Sequence, residues 1–294
     1  MKPADLVRLV TLAALWGASY LFMRVAVPHT GVAGMVEGRT LAGGLVMAAF
    51  VVARGIAPDW RRHGRGYLVV GLVGVAIPFA LIGVAVRFID ASTAAILNAT
   101  SPLFGSLVAA IWIKDRLTAP KIAGIALSIA GIAILVGWTP RPMSAAELGA
   151  CGLCLAACAC YGYVAVFAKA RMKDAPATAL SAMSCLVASG AALPFAIASP
   201  PAAATPATAW LALAALGVAC TGIAFILYYR LIADLGPVRA TMVTLLIPVF
   251  GILWGALFLD EPLTPGRLAG AATVLAGCAF ALGLVRWPGH RPEG

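Results

Sequence analysis

The sequence predicts an all-α membrane protein in which ten transmembrane helices form two inverted five-helix repeats around a central cavity. The chain has 294 residues, of which 62% are hydrophobic and only 11% are charged, whereas a soluble domain carries about 25% charged residues. Apolar stretches of about 20 residues, the length that spans a bilayer, recur along the chain. In addition, residues 91–137 recur at 237–283 without a gap, with about a third of the positions identical.

The predicted spans are separated by short breaks that are charged or rich in Pro and Gly. Consecutive helices should therefore form adjacent hairpins in a tight bundle. The first span also resembles a signal peptide, because Lys2 and Arg8 accompany an apolar run. It has a counterpart in the second half of the chain, and we interpret it as a retained helix. The ten spans are 6–27, 32–53, 66–86, 91–113, 120–138, 146–168, 177–199, 208–232, 237–259 and 266–286.

Lys and Arg residues are distributed unevenly between the two sides of this bundle. If the N-terminus is cytoplasmic, the loops on the opposite side carry only Arg87, Arg141 and Arg267. Positive charge marks the cytoplasmic side of a membrane protein, which predicts both termini in the cytoplasm and a multi-pass protein of a bacterial-type inner membrane. The cytoplasmic set is Arg54, Arg61, Arg62, Arg65, Lys114, Arg116, Lys121, Lys169, Arg171, Lys173, Arg230, Arg239, Arg286 and Arg291.

The net charge of +10 has the same explanation. Because most of the basic residues lie between apolar segments, they orient the chain in a bilayer and do not indicate a nucleic-acid partner. The expected partners are the lipid bilayer and a small molecule, and the chain is expected to function as a monomer.

The repeat extends to the earlier helices, since Trp16-Gly17 aligns with Tyr161-Gly162. The repeating unit is therefore five helices, with one unit over 1–140 and a second over 141–294. Because five is an odd number, the two units enter the membrane from opposite sides. This predicts a pseudo-two-fold axis in the membrane plane, which is a common plan of transporters.

Two helical hairpins carry the most specific motifs. The first reads Ser101-Pro102 and then Asp115-Arg116-Leu117-Thr118, and the second reads Ile247-Pro248 and then Glu261-Pro262-Leu263-Thr264. Together with Trp16-Gly17-Ala18-Ser19, these motifs make the whole chain resemble EamA-type members of the drug/metabolite transporter superfamily. The resemblance implies two inverted five-helix units around a cavity, and export of small metabolites, often amino acids including aromatic ones. One departure is Lys114-Asp115, where the family usually has Gly-Glu.

Motifs of other functional classes are absent from the sequence. There is no Gly-rich phosphate loop with Lys-Ser/Thr, no His-Glu-x-x-His and no Gly-x-Ser-x-Gly. We therefore expect no ATP motor, no enzyme, no cofactor and no metal. An intramembrane enzyme would have to use the cysteines at 151–160, which lack a nearby His and read better as packing residues. A sugar-phosphate or nucleotide-sugar exchanger is a second alternative, disfavoured because only Arg39 is plainly intramembrane.

Two ionisable residues lie inside the second predicted helix. A charge in the hydrocarbon core costs at least about 2.5–3.5 kcal/mol, which makes Glu37 and Arg39 the first candidates for a cargo site. They point in different directions in an ideal helix and need not pair. Arg39 is interpreted either as a structural anchor or as a contact for a cargo carboxylate, and Glu37 as a proton-sensitive group. The second unit has Ala182 and Ser184 at the matching positions.

Prolines interrupt three predicted helices, and their positions are Pro78, Pro102 and Pro248. Proline frees the carbonyl one turn earlier and kinks the helix. The carbonyls freed by Pro102 and Pro248 belong to Asn98 and Thr244, on repeat-related helices near mid-membrane, where exposed backbone can face a polar cargo. A purely structural kink is the alternative interpretation.

Polar and aromatic side chains complete the candidate site. Hydroxyls and amides can bond the charged groups of an amino acid, and aromatic faces can hold a cation or a ring. The alternatives are anchoring at the membrane interface, to which Trp112 and Tyr228 are assigned, and helix packing. The remaining candidates for the cavity lining are Trp16, Ser19, Tyr20, Asn98, Ser101, Tyr161, Tyr163, Thr221 and Thr244.

Overall fold

The computed structural model describes residues 3–115, 117–139, 142–201, 204–236, 240, 242–282 and 284. These residues form helices joined by short turns, and no strand occurs among them, which confirms the all-α class. Seven of their helical stretches are long and apolar enough to cross a membrane, and the shorter helix Val243–Phe258 is also apolar. The chain is therefore a multi-pass helical membrane protein. Five of the arginines used to predict its orientation lie outside the described residues: Arg116, Arg141, Arg239, Arg286 and Arg291.

The helices are numbered in chain order. Two continuous stretches, Trp60–Ala85 and Ala207–Leu235, contain π-helical turns, at Leu72–Ala76 and Ala215–Ile223. The helices are α1 (Pro3–Ala53), α2 (Trp60–Gly71), α3 (Ile77–Ala85), α4 (Ala91–Asn98), α5 (Ser101–Trp112), α6 (Ala119–Gly137), α7 (Ala145–Arg171), α8 (Ala177–Ala198), α9 (Ala207–Ala214), α10 (Ala224–Leu235), α11 (Val243–Phe258) and α12 (Pro265–Ala281).

The first helix is a hairpin of two arms that meet at Gly31. The φ of 68° and ψ of 170° at Gly31 are not helical, and glycine reaches this region without a steric penalty. Met23 and Arg39, which are equally far from Gly31 along the chain, are in contact, with 3.7 Å between Met23 Sδ and Arg39 Nη1. The chain therefore reverses at Gly31, and the arms, residues 3–30 and 32–53, correspond to the first two predicted spans.

The two π-helical turns occupy overlapping positions of the sequence repeat. In the first, the N–H of Ile77 donates to the carbonyl O of Leu72, just before Pro78. In the second, the N–H of Ala224 donates to the carbonyl O of Ala219, and no proline follows. π-helical turns interrupt regular winding and occur frequently at functional sites. Proline is therefore not required for this distortion in the present chain.

Helices α6 and α12 pack in opposite directions along a seam of glycines. A Cβ added at Gly124 would lie 2.5 Å from the carbonyl O of Gly277, and one added at Gly131 would lie 3.0 Å from that of Gly270. Small residues allow helices in a membrane to approach this closely. In the sequence repeat, Gly124 corresponds to Gly270 and Gly131 to Gly277, so this contact is unchanged when the two halves are exchanged.

A second pair of contacts is also related by the sequence repeat. A Cβ added at Gly17, in the first arm of α1, would lie 2.6 Å from Phe250 Cβ of α11. A Cβ added at Gly162, in α7, would lie 2.9 Å from Phe104 Cβ of α5. Gly17 corresponds to Gly162 in the repeat, and Phe250 to Phe104. The repeated sequence therefore makes repeated contacts.

The substitution Gly124→Ala is expected to lower the melting temperature by several degrees. The added methyl group would meet backbone atoms of α12 on two sides, 2.5 Å from the Gly277 oxygen and 2.6 Å from the Ala281 nitrogen, and overpacking of this kind costs about 1–3 kcal/mol. Thermal unfolding of the detergent-purified protein measures the effect.

The matched control is Gly190→Ala. Gly190 is exposed in α8, and a Cβ there would meet nothing within 4 Å. Because Ala is the better helix former by about 1 kcal/mol, this variant should melt no lower than the wild type. Equal melting temperatures for the two variants would contradict the tight α6–α12 seam.

Candidate functional site

Arg39 is the centre of the candidate site. It lies in the second arm of α1 and is only 6% exposed. Its Nε donates to Thr221 Oγ1 at 3.0 Å, and its guanidinium carbon lies 3.8 Å from the ring centroid of Phe79. Within the described residues, no carboxylate forms an ion pair with it. The guanidinium is therefore held by neutral groups. Among the described residues its Nη atoms have no oxygen acceptor, and Met23 Sδ is a weak acceptor.

Thr221 connects Arg39 to the second π-helical turn. Its hydroxyl donates to the carbonyl O of Leu216 at 2.8 Å and so presents a lone pair to Arg39. Gly43 makes the approach possible, because a Cβ there would lie 2.5 Å from Thr221 Cγ2. The position of the guanidinium thus depends on the irregular winding of the stretch Ala207–Leu235.

Two tyrosines from different halves of the chain lie near this cation. Tyr20, in the first arm of α1, is buried, and Tyr161, in α7, is half-buried. Both lie within electrostatic range of Arg39, as do Cys185 and Cys220. Phenols and thiols are predominantly uncharged at neutral pH, so none of these neighbours neutralises the guanidinium.

Glu37 contacts a different helix from Arg39, as the sequence predicts. Its Oε1 accepts a hydrogen bond from Ser189 Oγ of α8 at 3.0 Å. Its Oε2 is buried and has no hydrogen-bond partner on the part of the chain that the structure describes. Residues two apart in a helix face nearly opposite directions, which explains why the two side chains do not pair.

At the break between α4 and α5, a side chain satisfies the carbonyl of Asn98, which Pro102 leaves without a helical hydrogen bond. Asn98 O accepts from Ser101 Oγ at 2.6 Å, and Cys158 Sγ of α7 lies 3.8 Å from the same oxygen. Cys278 Sγ of α12 donates to the next carbonyl, Ala99 O, at 3.2 Å. The interpretation of the cysteines as packing residues missed this role, because spacing along the chain does not reveal which distant carbonyls a thiol reaches.

The other prolines lie elsewhere in the bundle. Pro78 follows the first π-helical turn and is buried beside Phe79, which stacks on Arg39. Pro248 lies inside α11, which continues through it, and Thr244 is half-buried one turn earlier. Pro248 is therefore near the contact of α11 with the first arm of α1, whereas Pro78 is next to the Arg39 cluster.

Two of the aromatic candidates, Trp16 and Tyr163, lie in separate aromatic clusters away from Arg39. Trp16 packs against Phe225 and Tyr228 of α10, with ring centroids 6.0 and 5.3 Å apart, and Ser19, one turn on, bonds the carbonyl O of Leu15 within its own helix. Tyr163 instead stacks on Trp112 at 5.3 Å, and both rings are 37% exposed on the surface of the bundle. The structure thus groups Trp16 with Tyr228, and Tyr163 with Trp112, rather than placing all of them around Arg39.

Glu261, in the turn between α11 and α12, joins the two repeat units. Its carboxylate accepts from the backbone N–H groups of Ala91 at 2.7 Å and Ser92 at 3.0 Å, and from the Ser92 hydroxyl. These are the free donors at the start of α4, where Asp90 makes no capping bond of its own. Glu261 is 7% exposed, and this burial raises the pKa of its carboxyl. The charged cap depends on these donors and on Arg267, 3.8 Å away.

The turns before Asp115 and Glu261 explain why the family motif usually has a Gly at this position. Lys114 has a φ of 55° and its repeat counterpart Asp260 a φ of 53°. Both turns also share a backbone bond, from Asp115 N to Ala109 O at 3.2 Å and from Glu261 N to Gly255 O at 3.1 Å. The left-handed conformation favours Gly, and a side chain there costs about 1–2 kcal/mol. The usual Gly of the motif therefore has a conformational reason.

Broken and π-wound helices around a buried cation, in a multi-pass bundle, define the class of membrane transporters. The described residues contain no group of three His, Cys, Asp or Glu side chains that could hold a metal. The EamA-like transporter family matches the chain twice, at residues 6–137 and 148–283. The chain belongs to this family and is a transporter of small metabolites.

Several proteins named as transporters, exporters or efflux pumps are similar to this chain. A probable amino-acid metabolite efflux pump of Escherichia coli is 26% identical over 98% of this chain and 97% of its own length. The uncharacterized transporter YoaV of Bacillus subtilis is 20% identical over 92% of this chain and 93% of its own length. A probable terminal-alkyne amino-acid exporter of Streptantibioticus cattleyicolor is 28% identical over 43% of this chain and 43% of its own length. A crystal structure with 21% identity matches 97% of this chain and 99% of its own, with a TM-score of 0.69, and shows the same fold.

Replacing Glu261 by Gln is expected to destabilise the protein by about 1–2 kcal/mol, the usual effect of losing a helix N-cap. The amide turns one acceptor into a donor that faces the N–H groups of Ala91 and Ser92. The melting temperature should fall, and amide hydrogen exchange should rise at the start of α4.

Asp260→Asn is the matched change of a carboxylate to an amide one residue away. Asp260 is exposed with a φ of 53°, a conformation that Asn tolerates well. This variant should behave as the wild type. A Glu261→Gln variant that melts no lower than Asp260→Asn would show that the carboxylate is not a cap.

Proposed function

We propose that this chain is a secondary carrier that exports amino acids, including aromatic ones, by alternating access. The observation that carries the proposal is the buried guanidinium of Arg39, which lacks an oxygen acceptor on its Nη atoms and lies among aromatic rings. A carboxylate matches the planar fork of a guanidinium, and the aromatic ring of Tyr20 suits an apolar or aromatic side chain. Relatives that carry the names of amino-acid metabolite efflux pump and amino-acid exporter support the same class of cargo.

The architecture of the proposed carrier is ten transmembrane helices in two inverted five-helix units, 1–140 and 141–294, around a central cavity. The double match of the family supports the two units. The opposed directions of α6 and α12 support the inversion of the two units. The glycine contacts support it too, because each contact recurs when residues are replaced by their repeat counterparts. The excess of Lys and Arg in alternate loops supports two cytoplasmic termini and an inner-membrane location. The working unit in this proposal is the monomer.

Gating in this proposal uses the hairpins that carry irregular helices. The hairpin of α2–α5 would gate one side, with the π-helical turn before Pro78 and the break at Ala99–Thr100. The hairpin of α9–α11 would gate the other side, with its own π-helical turn beside Thr221. Irregular turns absorb bending at a small cost, which suits them to alternating access.

A phosphate cargo is disfavoured by the surroundings of Arg39. Phosphate recognition usually needs several basic groups, but the groups that interact electrostatically with Arg39 are tyrosines and cysteines. Arg24, in the first arm of α1, donates instead to the carbonyl O of Val86 at 2.7 Å. Arg39 is thus a single cation, which fits a carboxylate better than a phosphate ester.

A competition screen with reconstituted protein tests the cargo class. Proteoliposomes loaded with a radiolabelled amino acid mixture are challenged with single amino acids, sugar phosphates and nucleotide sugars. We expect amino acids, aromatic ones among them, to compete, and the phosphate compounds to have no effect. Competition by nucleotide sugars alone would show that the proposal names the wrong cargo.

The variant Arg39→Gln is expected to reduce transport at least tenfold, which corresponds to the loss of about 1.4 kcal/mol of cargo binding. Arg39→Lys keeps the charge but loses the two-pronged geometry, and should recover only part of the rate. Arg87→Gln, at an exposed position in the turn after α3, is the control and should transport normally. Unchanged transport by a well-folded Arg39→Gln protein would remove the basis of the proposal.

A further inference from the structure

The positive charge of Arg39 is not compensated by the residues that the structure describes. Its direct contacts are a hydroxyl, a thioether and an aromatic face, from Thr221, Met23 and Phe79. The titratable groups that interact electrostatically with it come from α1, α7, α8 and the second π-helical turn, and they are Tyr20, Tyr161, Cys185 and Cys220. A cargo that enters this site therefore meets one full positive charge and neutral walls.

Glu37 does not supply the missing negative charge. It leaves the opposite side of the same helical arm and bonds Ser189 of α8. Among the described residues, no ion pair joins its carboxylate to Arg39. A free amino acid whose carboxylate sits on Arg39 would thus find no carboxylate beside its ammonium group.

The aromatic ring that touches Arg39 is also unavailable to an ammonium group. The guanidinium already covers the face of Phe79 at 3.8 Å, and a second cation on that ring would be repelled by the first. The phenol oxygens of Tyr20 and Tyr161 offer hydrogen bonds but no charge. A buried ammonium without an anionic partner is unfavourable.

We infer that the site around Arg39 selects its cargo by net charge, binding monocarboxylates that lack a free ammonium group more tightly than the parent amino acids. Such cargo includes 2-oxo acids, N-acylated amino acids and simple arylalkanoic acids, all of which carry a net charge of −1. The inference rests on the proposed contact between Arg39 and a cargo carboxylate. It adds that amino acids are bound as the weaker members of a carboxylate series.

Three ligands with the same side chain test this inference in the wild-type protein. They are 3-phenylpropanoate, phenylalanine and phenylalanine methyl ester, with net charges of −1, 0 and +1 at mildly acidic pH. Binding is measured by thermal stabilisation of the purified protein and by competition in proteoliposomes. We expect 3-phenylpropanoate to bind at least about tenfold more tightly than phenylalanine, and the ester to bind weakest. The uncharged 3-phenylpropanamide controls for shape.

Two arginine variants test whether the charge of Arg39 causes this order of ligand affinities. In Arg39→Gln, the acid should lose its advantage over the amide, whereas Arg87→Gln should keep the wild-type order. Phenylalanine binding as tightly as 3-phenylpropanoate would overturn the inference and leave the proposed function intact. A Glu37→Gln variant that weakens phenylalanine but not 3-phenylpropanoate would overturn it as well, by identifying an ammonium site. Equal binding of acid, amide and ester would instead contradict the contact between Arg39 and a carboxylate, and with it the proposed function.

Discussion

The burial of Arg39, a cation that no carboxylate among the described residues neutralises, is the constraint on which the interior of this bundle depends. A guanidinium in the hydrocarbon region is costly, and the chain offsets that cost with a hydroxyl, an aromatic face and a thioether instead of a carboxylate. Two of these groups, the hydroxyl and the aromatic face, lie at a local irregularity. Thr221 reaches Arg39 from a π-helical turn, and Phe79 follows another such turn and Pro78. The distorted helices are therefore linked to one side chain, and the cargo carboxylate that we propose would complete an arrangement that is already in place.

Duplication accounts for the framework, and divergence accounts for the site. The glycine contacts of α6 with α12, and of Gly17 and Gly162 with their phenylalanine partners, occur in pairs. The left-handed turns at Lys114 and Asp260 occur as a pair too. Arg39 has no such counterpart, because the corresponding Ser184 is buried and carries no charge. In the proposed carrier, the two halves of the repeated framework would exchange roles during transport, while cargo binding would stay with the half that carries Arg39.

The sequence predicts the helical class, a chain reversal between the spans 6–27 and 32–53, and the separate directions of Glu37 and Arg39, because these follow from composition, the spacing of the apolar stretches and helical periodicity. It also predicts that Pro102 frees the carbonyl of Asn98. It does not predict what satisfies that carbonyl, since Ser101 competes with Cys158 from another helix. The cap of α4 by Glu261 joins residues far apart in the chain, and spacing carries no signal for it. The surface stack of Tyr163 with Trp112 likewise depends on the rotation of whole helices, which local pattern does not determine.

Two cysteine thiols contact the backbone at the break between α4 and α5. Cys158 and Cys278 are fully buried against the carbonyls of residues 97–99, and a thiol is a weak donor. Both thiols thus contact backbone carbonyls at the break. In the proposed carrier, opening of this break would expose both sulfurs, and the rate at which a small alkylating reagent labels them would follow that opening. The same cysteines would therefore report, as covalent adducts, how often the carrier changes conformation.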